Sequence, residues 1–155
     1  MFYLGELNMG TRSITVIEDE EGLELCRIYR QFDGYPSVHG EELGNIVNRG
    51  PVADRKTVGS DVYLGMPDLA ATVIATLKAY IRDPATGMRE WQDPMGDNNR
   101  IQLIPKGEHD VGEEWIYTIT YGGDGEYANV FAYDVYNEKK LVLWPHHDEF
   151  QWLEV

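Results

Sequence analysis

Cysteine is almost missing from this chain: Cys26 is the one thiol among 155 residues. A single Cys excludes an internal disulfide framework and any zinc site built from cysteine pairs. No run of roughly 18 apolar residues occurs, so the sequence offers no membrane-spanning helix. Basic residues are scarce, 13 Lys plus Arg against 27 Asp plus Glu, for a formal net charge of −14. Affinity for DNA or RNA draws on cations that neutralise phosphates, and the densest basic grouping, Arg49, Arg55 and Lys56, is thin. Direct nucleic-acid binding and docking on anionic membranes are therefore not expected. The opening Met1-Phe-Tyr-Leu-Gly-Glu6 has neither the basic nor the apolar region of a secretory signal. The expected setting is cytoplasmic.

Apolar residues are not scarce. They make up 43% of the chain, and ten Tyr and four Trp are too much adhesive surface for a disordered polymer. The length suits one domain spanning residues 1–155, large enough to bury a core without metal or disulfide staples. The charge is uneven: residues 1–82 balance to −4 and residues 83–155 to −10. A solubilising surface accounts for this in the plainest way. The sharper reading is an acidic face, with Glu108, Asp110, Glu113, Glu114, Asp124 and Glu126 as contacts, that docks a basic host protein, itself a nucleic-acid binder in one version.

The pattern predicts an α+β domain: an antiparallel sheet of roughly six strands with two helices packed on one face. Ser13–Ile17 and Leu23–Phe32 read as a hairpin around the acidic turn Glu18–Gly22. Ser37 can cap a helix through Val47, with Leu43, Ile46 and Val47 as its buried stripe. A loop, Asn48–Ser60, follows. A second helix is expected from Pro67 to Arg82, with Leu69, Ala70, Val73, Leu77, Tyr80 and Ile81 on one face and Asp83-Pro84 as its stop. Residues 83–99 read as a long loop carrying Trp91 and Met95. Strands are predicted at Arg100–Ile104, Trp115–Tyr121, Ala128–Tyr136 and Lys140–Trp144, with a last short one at Phe150–Val155. In the second of these regions Trp115, Tyr117, Ile119 and Tyr121 alternate against Ile116, Thr118 and Thr120, as in a sheet with two unlike faces.

Two stretches are more specific than packing demands: Met9-Gly-Thr-Arg-Ser13 and Tyr29-Arg-Gln-Phe-Asp-Gly-Tyr-Pro-Ser-Val-His-Gly40. Together they resemble a family of uncharacterised phage and bacterial proteins that open with MGTRS, pass through a strand, and continue with a YRQxDGYPxxHG motif and a helix. The resemblance covers about residues 9–47 and implies a phage or mobile-element setting rather than a reaction. Met1–Asn8 precede the usual opening, as an extension or because Met9 is an alternative start. Read physically, the motif sets Arg30, Gln31, Asp33, Tyr35 and His39 around a turn between strand and helix. Arg12 is then placed to join Arg30 in a two-arginine anion clamp beside the helix start. Tyr35 would stack on a base. The alternative is structural, with an Arg30–Asp33 ion pair and a fixed Tyr35-Pro36 turn.

Catalytic signals are weaker. Trp144-Pro-His-His-Asp-Glu149 gathers two His and two acids, but neighbouring His on a strand point apart, so neither metal nor cofactor is expected. No phosphate loop of the GxxxxGK type and no GxSxG elbow is present. The leading expectation is a non-enzymatic accessory protein that binds and neutralises a host component in counter-defence, through an acidic surface. A module sequestering a nucleotide or phosphorylated signal in the Arg12/Arg30/Tyr35/His39 pocket comes second. A small hydrolase using Arg30, Asp33 and His39 comes third.

Overall fold

The computed structural model describes residues 10–53, 61–82, 86–144 and 150–155. The expectations for residues 1–8, for Arg55 and Lys56, for Asp83-Pro84 and for His146 and His147 fall outside them.

The first hairpin forms as the pattern requires. Strand β1 (Ser13–Glu18) pairs antiparallel with β2 (Glu24–Arg30), and Ser13 lies opposite Arg30. The Asp19 carboxylate closes the turn by accepting from the backbone N–H groups of Glu21 and Leu23. After the motif, one π turn (Pro36–Gly40) leads into helix α1 (Glu41–Val47). The expected Ser37 cap is absent: Ser37 is exposed within the π turn, and no side chain caps it. The wider turn, marked by the Glu41 N–H reaching the Pro36 carbonyl, aims His39 inward. Short strands β3 (Val52–Ala53) and β4 (Tyr63–Leu64) pair in parallel and lead to helix α2 (Met66–Ala79).

Helix α2 stops three residues before the expected Arg82. Tyr80–Arg82 is instead strand β5, paired with β6 (Arg89–Trp91), so Tyr80 is 40% exposed rather than part of the helical stripe. The predicted long loop therefore holds a hairpin arm and a 3-10 turn (Pro94–Gly96). Helical periodicity and the bias of a pre-proline residue cannot see a cross-strand partner seven or more residues away.

The remaining strands are β7 (Gln102–Ile104), β8 (Trp115–Thr120), β9 (Asn129–Asp134), β10 (Lys139–Trp144) and β11 (Gln151–Glu154). They complete a seven-stranded sheet in the order β11-β10-β9-β8-β1-β2-β7. All pairs are antiparallel except β1 with β8, so the sheet is mainly but not wholly antiparallel. The connection β7–β8 makes that parallel pair possible by crossing one face of the sheet. The Gly107 N–H reaches Glu24 Oε2 at 3.4 Å, Arg27 donates to the Glu108 carbonyl at 2.9 Å, and the Glu114 N–H donates to the Arg12 carbonyl at 2.9 Å.

Both helices pack on the other face. Ile17, Ile28, Tyr117, Ile119, Val130, Ala132 and Leu143 from the strands meet Leu43, Ile46, Val47, Leu69, Val73 and Leu77 from the helices. The predicted alternation of Tyr117 and Ile119 towards the helices thus holds. Each large side chain buried in this way contributes about 1.5–3 kcal/mol. No helix among the described residues is long and apolar enough to cross a membrane.

Candidate functional site

The motif builds a buried polar network. Arg30 ends β2 on the helix-facing side and is 2% exposed. Its Nε donates to the Phe32 carbonyl at 2.5 Å, and its Nη1 donates to Glu42 Oε2 at 2.7 Å and to His39 Nδ1 at 3.0 Å. Arginine has no acceptor, so His39 Nδ1 carries a lone pair and the proton sits on Nε2, which donates to Thr15 Oγ1 at 2.7 Å. The imidazole is wholly buried. Burial first, and the Arg30 charge second, hold its pKa well below the usual 6.5, so it is neutral. Tyr117 meets the His39 ring edge-on at 4.8 Å between centroids and donates its hydroxyl to the Gly34 carbonyl at 2.6 Å. Burial raises the Tyr117 phenol far above its ordinary range.

The two motif glycines are explained by packing. A Cβ at Gly34 would lie 2.7 Å from Ser13 Cβ and 2.8 Å from the Thr11 carbonyl oxygen, and one at Gly40 would collide with the Trp152 ring. Only glycine permits such approach of backbone to neighbour. Two groups in this region lack a partner among the described residues: the Ser13 hydroxyl and the Trp152 Nε1–H are buried without a hydrogen bond.

Of the six residues predicted to line a pocket, Arg30 and His39 come together, but as interior partners rather than as open ligand groups. The two-arginine clamp does not form. Arg12 precedes Ser13 and so projects from the other face of the sheet, where it lies against Gly112 in the crossing connection. Asp33 is exposed with φ +58°, and the buried ion pair of Arg30 is made with Glu42, not with Asp33. Tyr35 supplies its carbonyl to the Val38 and His39 N–H groups at the start of the π turn. Gln31 faces elsewhere, into a separate cleft.

That cleft, of about 500 Å³, is bounded by Gln31, Lys78, Met95, Asp97, Arg100 and Gln102. Asp97 organises it. Its carboxylate, whose side chain is 2% exposed, accepts from the Asn99 N–H at 2.8 Å, the Ile101 N–H at 2.6 Å, Lys78 Nζ at 3.2 Å and Gln92 Nε2 at 3.4 Å. Lys78 also donates to the Ile101 carbonyl at 3.0 Å. Arg100, held at φ +56°, stands exposed on the rim. Sequence reasoning missed this site because Lys78, Gln92 and Asp97 are brought together only by the fold. The local signal was the turn-forming run Asp97-Asn-Asn before a strand.

The six predicted acidic contacts do not make one patch. Asp124 and Glu126 lie beyond the C-terminal end of β8, whereas Asp110, Glu113 and Glu114 lie on the crossing connection as it approaches the N-terminal end of the same strand. Glu108 sits over Arg27 between them. Six strand residues separate the two groups by roughly 17–20 Å. Because β1 and β8 are parallel, Asp124 and Glu126 share their end of the sheet with Glu18, Asp19, Glu20 and Glu21, a grouping the sequence reading passed over as a turn. Glu20 reaches from there to the Met66 N–H at the start of α2, at 3.0 Å. Leu23, Leu25 and Leu64 are exposed at this end, by 57%, 39% and 44%.

Cys26 is half-buried against the core and free, and burial pushes its thiol up, which keeps it protonated. His109 pairs with Asp110 at 2.7 Å in full view of solvent. Among the described residues no three His, Cys, Asp or Glu are placed to hold a metal ion. No family model matches the chain, and neither a curated protein nor a solved structure does. Fold and geometry together describe an acidic α+β protein with a mainly antiparallel sheet.

Proposed function

We propose that the protein works by binding: it occupies and neutralises a basic host protein, as an accessory factor of a phage or mobile element. The observation that carries this reading is the acidic end of the sheet. Glu18, Glu21 and Glu126 have no cation partner among the described residues, and exposed leucines stand beside them. A surface of like charges with apolar side chains between them is costly to keep as bare surface and suits a partner with basic and apolar groups. The motif supports the same reading indirectly, since its polar groups are engaged with one another and leave the outer surface as the place for recognition.

Affinity capture from host lysate, followed by association kinetics with the identified partner, tests the proposal. The partner should be basic, and its on-rate should fall as salt rises, because exposed charges are screened beyond about 8 Å at physiological ionic strength. The double variant Glu18→Lys/Glu21→Lys should associate more slowly than the wild type, with dissociation little changed. Salt-independent kinetics together with an unchanged on-rate in this variant would sink the proposal.

A further inference from the structure

The cleft beside β7 has features that the acidic surface does not explain. We infer that it binds a phosphorylated metabolite about the size of a nucleoside monophosphate. The protein as a whole carries −14, and such a field repels small anions. Yet this cleft is lined by two cations, Lys78 and Arg100, and one carboxylate, Asp97. The carboxylate is saturated by four donors, so it does not face an incoming anion with free lone pairs. Lys78 uses two of its three N–H groups, on Asp97 and the Ile101 carbonyl, and keeps one. The Arg100 guanidinium and the amides of Gln31 and Gln102 make no side-chain hydrogen bond among the described residues.

Four side chains with spare donors therefore converge on one space. The guanidinium fork matches a phosphate with two parallel hydrogen bonds, and the lysine adds a point charge. The glutamine amides can donate and accept, which suits the hydroxyl groups or base edge of the attached body. About 500 Å³ is several times what a phosphate alone would fill, and lies in the range of small-ligand sites. The backbone at Arg100 is left-handed, at φ +56°, as it is at four other non-glycine positions among the described residues.

The ligand set differs from a site at the motif, where Arg30 and His39 are enclosed. It is also independent of the partner-docking proposal, being formed by other residues.

Amide resonances of the full chain, labelled with ¹⁵N, are followed during titration with adenosine 5′-monophosphate, adenosine and inorganic phosphate. The mononucleotide should shift Gln31, Gly96 and Gln102 in a saturable way, and adenosine should bind at least about tenfold more weakly, as expected for loss of charge-assisted bonds. Inorganic phosphate should also bind more weakly than the mononucleotide. Arg100→Gly removes the guanidinium and relieves the left-handed backbone, so it should melt no lower than the wild type while binding falls at least about tenfold. Should that variant fail to fold, Arg100→Asn, which tolerates the same conformation, carries the comparison. The inference is overturned by the absence of saturable shifts at these amides or by undiminished binding in either variant. Equal affinity for adenosine and its monophosphate, or for phosphate and the mononucleotide, overturns it as well.

Discussion

The two ends of the β1–β8 pair use charge in opposite ways. At the N-terminal end, Arg30, Glu42 and the neutral His39 are drawn into the interior, with nearly every polar atom given a partner. At the C-terminal end, Glu21 and Glu126 are left exposed, with Glu18 half-buried beside them, among exposed leucines. The contrast teaches that the most distinctive sequence in the chain is spent on folding. A motif that mixes Arg, His, Asp and Tyr has the composition of an active site, but here its cation and imidazole hold a strand, a π turn and a helix together. Under the proposed function, recognition would fall to less distinctive residues on the surface.

Arg30→Ala should give the largest effect. It strips the partner from a nearly buried carboxylate and from an imidazole at once, and breaking a buried pair in this way costs about 3–5 kcal/mol. Denaturant titration would read it as a large fall in midpoint. A near-normal midpoint would break the contrast and return Arg30 to the role of a ligand group. Gly40→Ala should come next, at about 1–3 kcal/mol, because the added methyl enters the space of the Trp152 ring in a packed layer.

Acid should weaken the motif end specifically. His39 is neutral in the fold, whereas the unfolded chain takes up a proton near 6.5. Stability is therefore fully present above that pH and falls as the pH drops below it, by at most about 1.4 kcal/mol per pH unit until the folded-state value is reached. Denaturation midpoints measured between about pH 7.5 and 5.5 should show this slope, and His39→Gln should flatten it. An equally steep slope in that variant would place the titrating group elsewhere.

Tyr117→Phe removes the bond to the Gly34 carbonyl and should cost about 1 kcal/mol. The smallest change is expected at the other end. Glu21→Lys/Glu126→Lys should alter stability by no more than about 0.5 kcal/mol, as exposed substitutions do, while slowing association with the partner that the proposed function implies. A double variant that unfolds would erase the distinction between the two ends.

Much of the fold was legible because it follows from short-range periodicity. The hairpin at the acidic turn, helix α1 in its second half, the body of α2 and the alternation through β8 all come from residues within a few positions of one another. The failures have a common cause. Tyr80–Arg82 continues a helical pattern and is turned into a strand by β6. The parallel pairing of β1 with β8 depends on a connection of ten residues laid across the sheet. Arg12 and Arg30 were read as neighbours because a hairpin brings their strands together, but the two-residue period of a strand puts them on opposite faces. The motif marks Gln31, but its neighbours in the cleft, Lys78 and Arg100, come from distant segments that only the fold brings to it.

By itself the sequence determined the acidity, the α+β alternation, the exclusion of an internal disulfide framework, and which side chains were too specific to be ordinary surface. These are properties of composition and of neighbours along the chain. The tertiary structure decided that Arg30 pairs with Glu42 and His39, that Asp97 gathers donors from α2 and from its own loop, and that acids from two distant turns share one end of the sheet. The physical reason is that charge and hydrogen bonding are worth little in water and much more once burial removes it, and burial is settled by which faces the packed elements turn towards each other.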